Sequence, residues 1–167
     1  MSFHTDFDSW VKMSDPQHCP VCQNEAMPSE MVDVVELPHS YLNAEPVACL
    51  RGACFVVAKK HAIELYDLDA HELLGLMQEV QCYALALKTV TGAVKINYEI
   101  HGNSTPHLHI HLYPRYMDDP FPGRAIDYQQ KNNQYGPGGF EGFVQQMREA
   151  IAASMDRFSV QPLDPGK

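Results

Sequence analysis

The chain has 167 residues, 45% of them apolar and 20% charged, a balance that fits one soluble unit with a sizeable core. Its formal charge of −9 excludes a partner held chiefly by phosphate-backbone attraction, such as long duplex nucleic acid, but not a small phosphorylated ligand met by local positive charge. The longest apolar run, 53–58, is far too short to cross a bilayer; the first thirty residues lack the apolar stretch of a secretory leader, and five cysteines make an odd number for a disulfide framework, so a cytoplasmic protein is expected.

In chain order, Phe7, Trp10, Val11 and Met13 have weakly helical spacing that stops at Ser14-Asp15-Pro16. Cys19-Pro20-Val21-Cys22 follows in an irregular stretch. Residues 31–37 read as a valine-rich strand closed by Pro38, with 40–43 as a hairpin partner, and 53–58 as a second good strand. Asp69 is the N-cap of the clearest helix, and Glu72 completes a capping box. Leu73, Leu76, Met77, Val80, Ala84 and Leu87 form the core stripe of that helix, and Gly92 ends it. Strands at 94–100 and 107–113 flank the turn-rich segment 102–106, and two strands so joined should be antiparallel. Residues 118–139, rich in Pro, Gly and Asn, read as an extended loop able to close over a ligand. Residues 140–158 read as an amphipathic helix with Phe143, Met147, Ile151 and Met155 on one face. This order predicts an α+β fold, an antiparallel sheet with one long helix and a C-terminal helix packed on it.

His107-Leu108-His109-Ile110-His111 is the most informative stretch. A strand sends alternate side chains to one face, so the three imidazoles are expected as an exposed row roughly 7 Å apart. Such a row can ligate a metal, or it can present a nucleophile between charge-stabilising partners. Three core histidines on one face would need three separate partners, which makes plain packing a poor account. Cys19 and Cys22 have the spacing of two thiolates on one tetrahedral metal, with a redox pair and two incidental buried thiols as alternatives. His61 and His107, both expected at strand ends, could complete a Cys₂His₂ set. Lys59, Lys60, Lys95, Arg115 and Arg124 lie near these segments and could supply positive charge.

The run Gly102-Asn103-Ser104-Thr105-Pro106-His107-Leu108-His109-Ile110-His111-Leu112-Tyr113-Pro114-Arg115-Tyr116 resembles the signature of the histidine triad (HIT) family of nucleotide hydrolases and transferases. It is most similar to the bacterial branch of dinucleoside polyphosphate hydrolases. Asp118-Asp119-Pro120 continues the likeness, and 55–61 resembles the family strand that ends in lysine-x-histidine. The resemblance covers roughly residues 19–120 of a single expected HIT-like domain, 1–167, with a C-terminal loop and helix at 121–158. It implies that His109 attacks the α-phosphorus of a nucleotide and forms a covalent nucleotidyl-histidine, which water then resolves. By the same resemblance His111 hydrogen-bonds a phosphate oxygen or helps protonate the leaving group. Ser104 contacts the leaving-group oxygen, and Asn97 and Asn103 orient the phosphate. In the zinc-containing branches the first histidine of the triad is a metal ligand, which assigns His107 to a structural zinc with Cys19, Cys22 and His61. The resemblance also implies a homodimer.

Three departures concern the nucleoside. Arg51-Gly52-Ala53 lacks the usual histidine, Ala58 replaces a proline, and 41–45 lacks the aspartate-x-asparagine that grips ribose, with Asn43 and Glu45 as substitutes. Hydrolysis of a dinucleoside polyphosphate, cleavage of a nucleoside phosphoramidate and nucleotidyl transfer share the chemistry up to the covalent intermediate. Two further classes remain open: a metalloenzyme using His107 and His109 as ligands, and a nucleotide binder without turnover.

Overall fold

The computed structural model describes residues 4–25 and 31–162, so the outermost ends of the expected domain and residues 26–30 of its core lie outside the described residues. The valine-rich segment β1 (Val32–Glu36), whose register shifts between Asp33 and Val35, turns at Pro38-His39 into β2 (Ser40–Ala44), the expected hairpin. β4 (Cys54–Ala58) is buried at every residue and sits at the centre of a five-stranded sheet. With β5 (Lys95–Glu99) and β6 (His109–Arg115) the order is β1-β2-β4-β6-β5, every neighbouring pair antiparallel. The expected α+β architecture is present.

Successive side chains alternate between the two faces of the sheet. Leu42, Val56, Ile96, Ile110 and Leu112 belong to a main core shared with α2 (Ala70–Thr91) and α3 (Gly139–Ser154). Asp69 caps α2 by accepting from the His71 and Glu72 amides, Glu72 answers as the capping box requires, and Gly92 closes the helix at φ 69°. Met77, expected on the core stripe, is exposed; the buried face of α2 runs instead through Leu76, Glu79, Val80, Tyr83 and Leu87. Glu79 is buried because it accepts hydrogen bonds from the His39 amide and the Ser40 hydroxyl, which ties the β1–β2 turn to the helix. Desolvation pushes its carboxyl above the usual range. α3 buries Phe143, Met147 and Ile151 as expected but stops at Ser154, and a short 3₁₀ turn, Asp156–Phe158, takes over. The weak N-terminal periodicity corresponds to α1 (Phe7–Met13).

Two expectations need correcting. The strand placed at 107–113 begins at His109 and runs to Arg115. His107 lies in a preceding bend, where the Leu108 amide bonds the Ala62 carbonyl instead of a ladder partner. The loop at 118–139 is not unstructured throughout: β7 (Asn132–Asn133) pairs with β3 (Val47–Ala48), a contact between short segments far apart in sequence. Among the described residues no helix is long and apolar enough to cross a membrane.

Candidate functional site

Register fixes what stands on the face turned away from α2 and α3. Val57 pairs with His109, Phe55 with His111, Glu99 with His111 and Asn97 with Tyr113. His109 and His111 therefore share this face, their ring centroids 5.0 Å apart. His109 is half-buried, and its Nδ1–H donates to the carbonyl of His107 at 2.7 Å. A carbonyl can only accept, so the proton sits on Nδ1 and the lone pair is on Nε2.

His111 is packed by Phe55, His101 and Tyr113, with ring centroids 4.9, 5.3 and 5.6 Å away, and its Nδ1 lies 3.1 Å from the Tyr113 hydroxyl. Burial, reinforced by His109 and His101, lowers its pKa to about 3, so the ring is neutral near pH 7. A neutral ring can donate a hydrogen bond to a phosphate oxygen but is a poor proton source, which favours the first of the two roles expected for it. His101, which also pairs with Glu99 at 3.1 Å, is a neighbour that motif reasoning passed over.

His107 does not join an exposed row. It is 1% exposed and turns toward the N-terminal segment. Its Nε2–H donates to the Ala58 carbonyl at 2.7 Å, leaving Nδ1 3.3 Å from Cys19 Sγ and 3.7 Å from Cys22 Sγ. His61 repeats the arrangement: Nε2–H donates to the Ser14 carbonyl at 2.9 Å, and Nδ1 lies 3.2 Å from Cys22 Sγ. The ligand atoms of Cys19, Cys22, His61 and His107 all lie within 4.8 Å of one another, and this is the metal-capable cluster among the described residues. Two thiols and two imidazoles, each ring fixed by a carbonyl on its far nitrogen, are the donor set and outer support of a closed tetrahedral zinc site. Desolvation and the neighbouring Cys19 push the Cys22 thiol up to about 11, so Cys22 calls for a cation if it is to ionise. His109 is not in the cluster, which removes the geometry needed for His107 and His109 to chelate one catalytic ion.

The segment between β5 and β6 carries Asn103 and Ser104, both exposed, after Gly102 at φ 65°. Asn97 stands on the His111 face, half-buried, its Oδ1 accepting from Lys95 Nζ at 2.8 Å. Beside His111 a cavity of about 180 Å³ is lined by Glu45, Cys49, Phe55, Tyr113, Tyr128 and Lys131, among others. Tyr128 and Lys131 come from the expected loop, and Lys131 pairs with the buried Glu45 at 2.9 Å. Asn43 is buried, with its amide given to Asp33. The cations expected to serve phosphate have partners of their own. Lys59 meets Glu36 at 2.6 Å and Lys60 meets Glu72 at 3.2 Å, while Arg124 bonds the Pro120 carbonyl. Arg115 grips Asp119 through Nε and Nη2 at 2.6 and 2.9 Å and holds that carboxyl down to about 2.

The HIT domain family model matches residues 26–118. An uncharacterized HIT-like protein of Mycoplasma genitalium is 33% identical over 82 residues, covering 46% of this chain and 57% of that protein, so the match spans little more than half of the relative. A histidine triad protein from Bradyrhizobium japonicum superposes with a TM-score of 0.67 at 26% identity, over 75% of this chain and 97% of that one. A zinc-bound histidine triad family protein from Mycobacterium smegmatis shares the fold with a TM-score of 0.59 at 18% identity, over 86% and 99% of the two chains. The chain belongs to the HIT family, a membership that supports nucleotide-directed hydrolase or transferase chemistry in general.

Proposed function

We propose that this protein cleaves a P–O or P–N bond at the α-phosphate of a nucleotide conjugate, either a dinucleoside polyphosphate or a nucleoside phosphoramidate. The observation that carries the reading is the His109 Nδ1–H bond to the His107 carbonyl, which leaves the Nε2 lone pair as a nucleophile on an accessible face. That lone pair forms a P–N bond to the α-phosphorus as the bond to the leaving group breaks. The leaving group departs with the bonding pair and takes a proton from solvent by way of the Ser104 hydroxyl. Water then attacks phosphorus and gives up a proton to solvent, the P–N bond breaks with its electrons returning to Nε2, and a nucleoside monophosphate is released. His111, neutral, donates to a non-bridging oxygen while Asn97 and Asn103 orient the phosphate. Glu45, lining the cavity beside His111, is the better substitute for the missing ribose carboxylate, because Asn43 is already engaged.

Cys19, Cys22, His61 and His107 hold a zinc ion in this reading, supported by the donor set and by the zinc-bound relative. With four protein ligands the ion supplies structure, fixing the N-terminal segment to the start of β6. Two copies pair about a twofold axis through β5, the sheet edge, where Val94, Tyr98 and Ile100 are exposed. None of the five cysteines forms a disulfide, which suits a reducing cytoplasm.

The test mixes the protein with dinucleotides and nucleoside phosphoramidates, quenches within milliseconds, and weighs the protein. An adduct of one nucleoside monophosphate, absent in a folded His109→Ala variant, is expected. Turnover without an adduct at any quench time would exclude the mechanism. A transferase forms the same adduct and differs only in passing the nucleotide to an acceptor other than water.

A further inference from the structure

The segment bearing Asn103 and Ser104 is short, exposed and built of turn residues, so holding its side chains at a leaving group needs outside support. That support comes from one piece of chain at both ends of the segment. At Gly102 the Trp10 indole N–H, from α1, donates to the main-chain carbonyl at 3.0 Å across 92 residues of sequence. At His107 the imidazole meets Cys19 and Cys22. Between these two grips, Ser14, the C-cap of α1, presents its carbonyl to His61, the remaining member of the cluster. Residues 15–25 are themselves stiffened by local bonds, among them His18 N to Asp15 O, Gln23 N to Cys19 O and Glu25 N to Pro20 O. Residues 4–25 lie before the stretch matched to the family model, 26–118.

We propose that residues 4–25 act as a strap that holds the Asn103–Ser104 segment from both ends, with Trp10 a positioning residue for the leaving-group side of the reaction. Trp10 never touches substrate. It fixes the Gly102 carbonyl, and with it the direction in which the next two residues point, while the cluster fixes the far end. The roles given to Asn103 and Ser104 rest on the function proposed above; the grip itself does not.

Trp10→Phe in the full zinc-loaded chain keeps a ring to stack on Phe7 and removes the N–H donor. Amide hydrogen exchange read on peptides covering 100–108 should quicken, while peptides covering 109–115 keep wild-type protection. Adduct formation on His109 is then timed with two conjugates of one nucleotide, an alkylamine (a poor leaving group) and a nitrophenol (a good one). The alkylamine rate should fall about fivefold, the worth of one neutral hydrogen bond, with KM unchanged and the nitrophenol rate nearly unchanged. Unaltered exchange at 100–108, or equal losses with both conjugates, would overturn the strap. Should wild type form no adduct with either conjugate, the proposed function fails, and hydrogen exchange alone still decides the strap. If Trp10→Phe does not fold, the wild-type protein suffices, since Trp10 is its single tryptophan. Its emission should shift when zinc is returned to chelator-treated protein, and constant emission would refute the coupling.

Discussion

His107 and His109 are two residues apart, and each gives one ring N–H to a main-chain carbonyl, yet opposite nitrogens are tied. In His107 the bond to Ala58 takes Nε2 and leaves Nδ1 facing two thiols; in His109 the bond to His107 itself takes Nδ1 and leaves Nε2 facing the sheet surface. Which carbonyl lies in reach thus selects the tautomer, and the tautomer selects the chemistry. The pair also differs in burial, since a bend before β6 carries His107 inward while His109 stays half-exposed on the ladder. The two rings are moreover mechanically joined. The His107 ring is pinned by the cluster, and the same residue's carbonyl orients the His109 ring, the nucleophile of the proposed reaction.

The sharpest way to break this contrast is to delete each ring in turn. His109→Ala should lower adduct formation and turnover on the order of 10³-fold or more while leaving stability within about 1 kcal/mol of wild type, because no cluster or core contact is lost. Rapid-quench mass measurement and calorimetry read the two halves. His107→Ala should do the reverse first, removing one zinc per chain and costing about 3 kcal/mol or more, since it opens a closed metal site and a buried position. That corresponds to a fall in Tm of roughly 6–12 °C at this chain length. A chelator applied to wild type should reproduce most of the fall. If His107→Ala kept its Tm and metal content, the division of labour between the two rings would collapse.

A finer test needs no mutation. Histidine ¹⁵N spectra of the zinc-loaded protein should assign the proton to Nε2 in His107 and His61 and to Nδ1 in His109. A shared tautomer in His107 and His109 would contradict the hydrogen-bond pattern on which their separate roles depend.

Much of this contrast was legible in the residues. The capping box at Asp69 and Glu72, the left-handed stop at Gly92 and the antiparallel β5–β6 pair follow from local rules, and the structure has them. The four-residue cluster followed from spacing and family likeness. The exposed row of three rings was a wrong extrapolation. Period-two reasoning assumes that a strand continues, and the Leu108 amide leaves the ladder for Ala62, a bond across 46 positions that no local signal announces. The β3–β7 pair and the approach of Lys131 to Glu45 escaped for the same reason, since two-residue strands have no periodicity to read. Met77 lay on the right period but at the margin of the buried stripe, where neighbours rather than spacing decide exposure.

The smallest expected effect concerns the third ring. His111 has an ordinary value of 6.5 and is held at about 3 in the folded protein by burial, with His109 and His101 adding to it. Above pH 6.5 both folded and unfolded chains leave it neutral, and its contribution to stability is fully present. As pH falls below 6.5 the unfolded chain takes up a proton that the folded chain refuses, so stability declines toward pH 3. The slope is at most about 1.4 kcal/mol per pH unit, and partial solvent contact at the ring makes the observed one shallower. Denaturant titrations of wild type and His111→Gln at intervals between pH 4 and 8 isolate this part, because the other histidines cancel in the difference. The curves should run parallel above pH 7 and converge as the solution becomes more acid. Parallel curves throughout would mean that His111 titrates alike in both states, and the neutral donor role assigned to it at the phosphate would lose its physical basis.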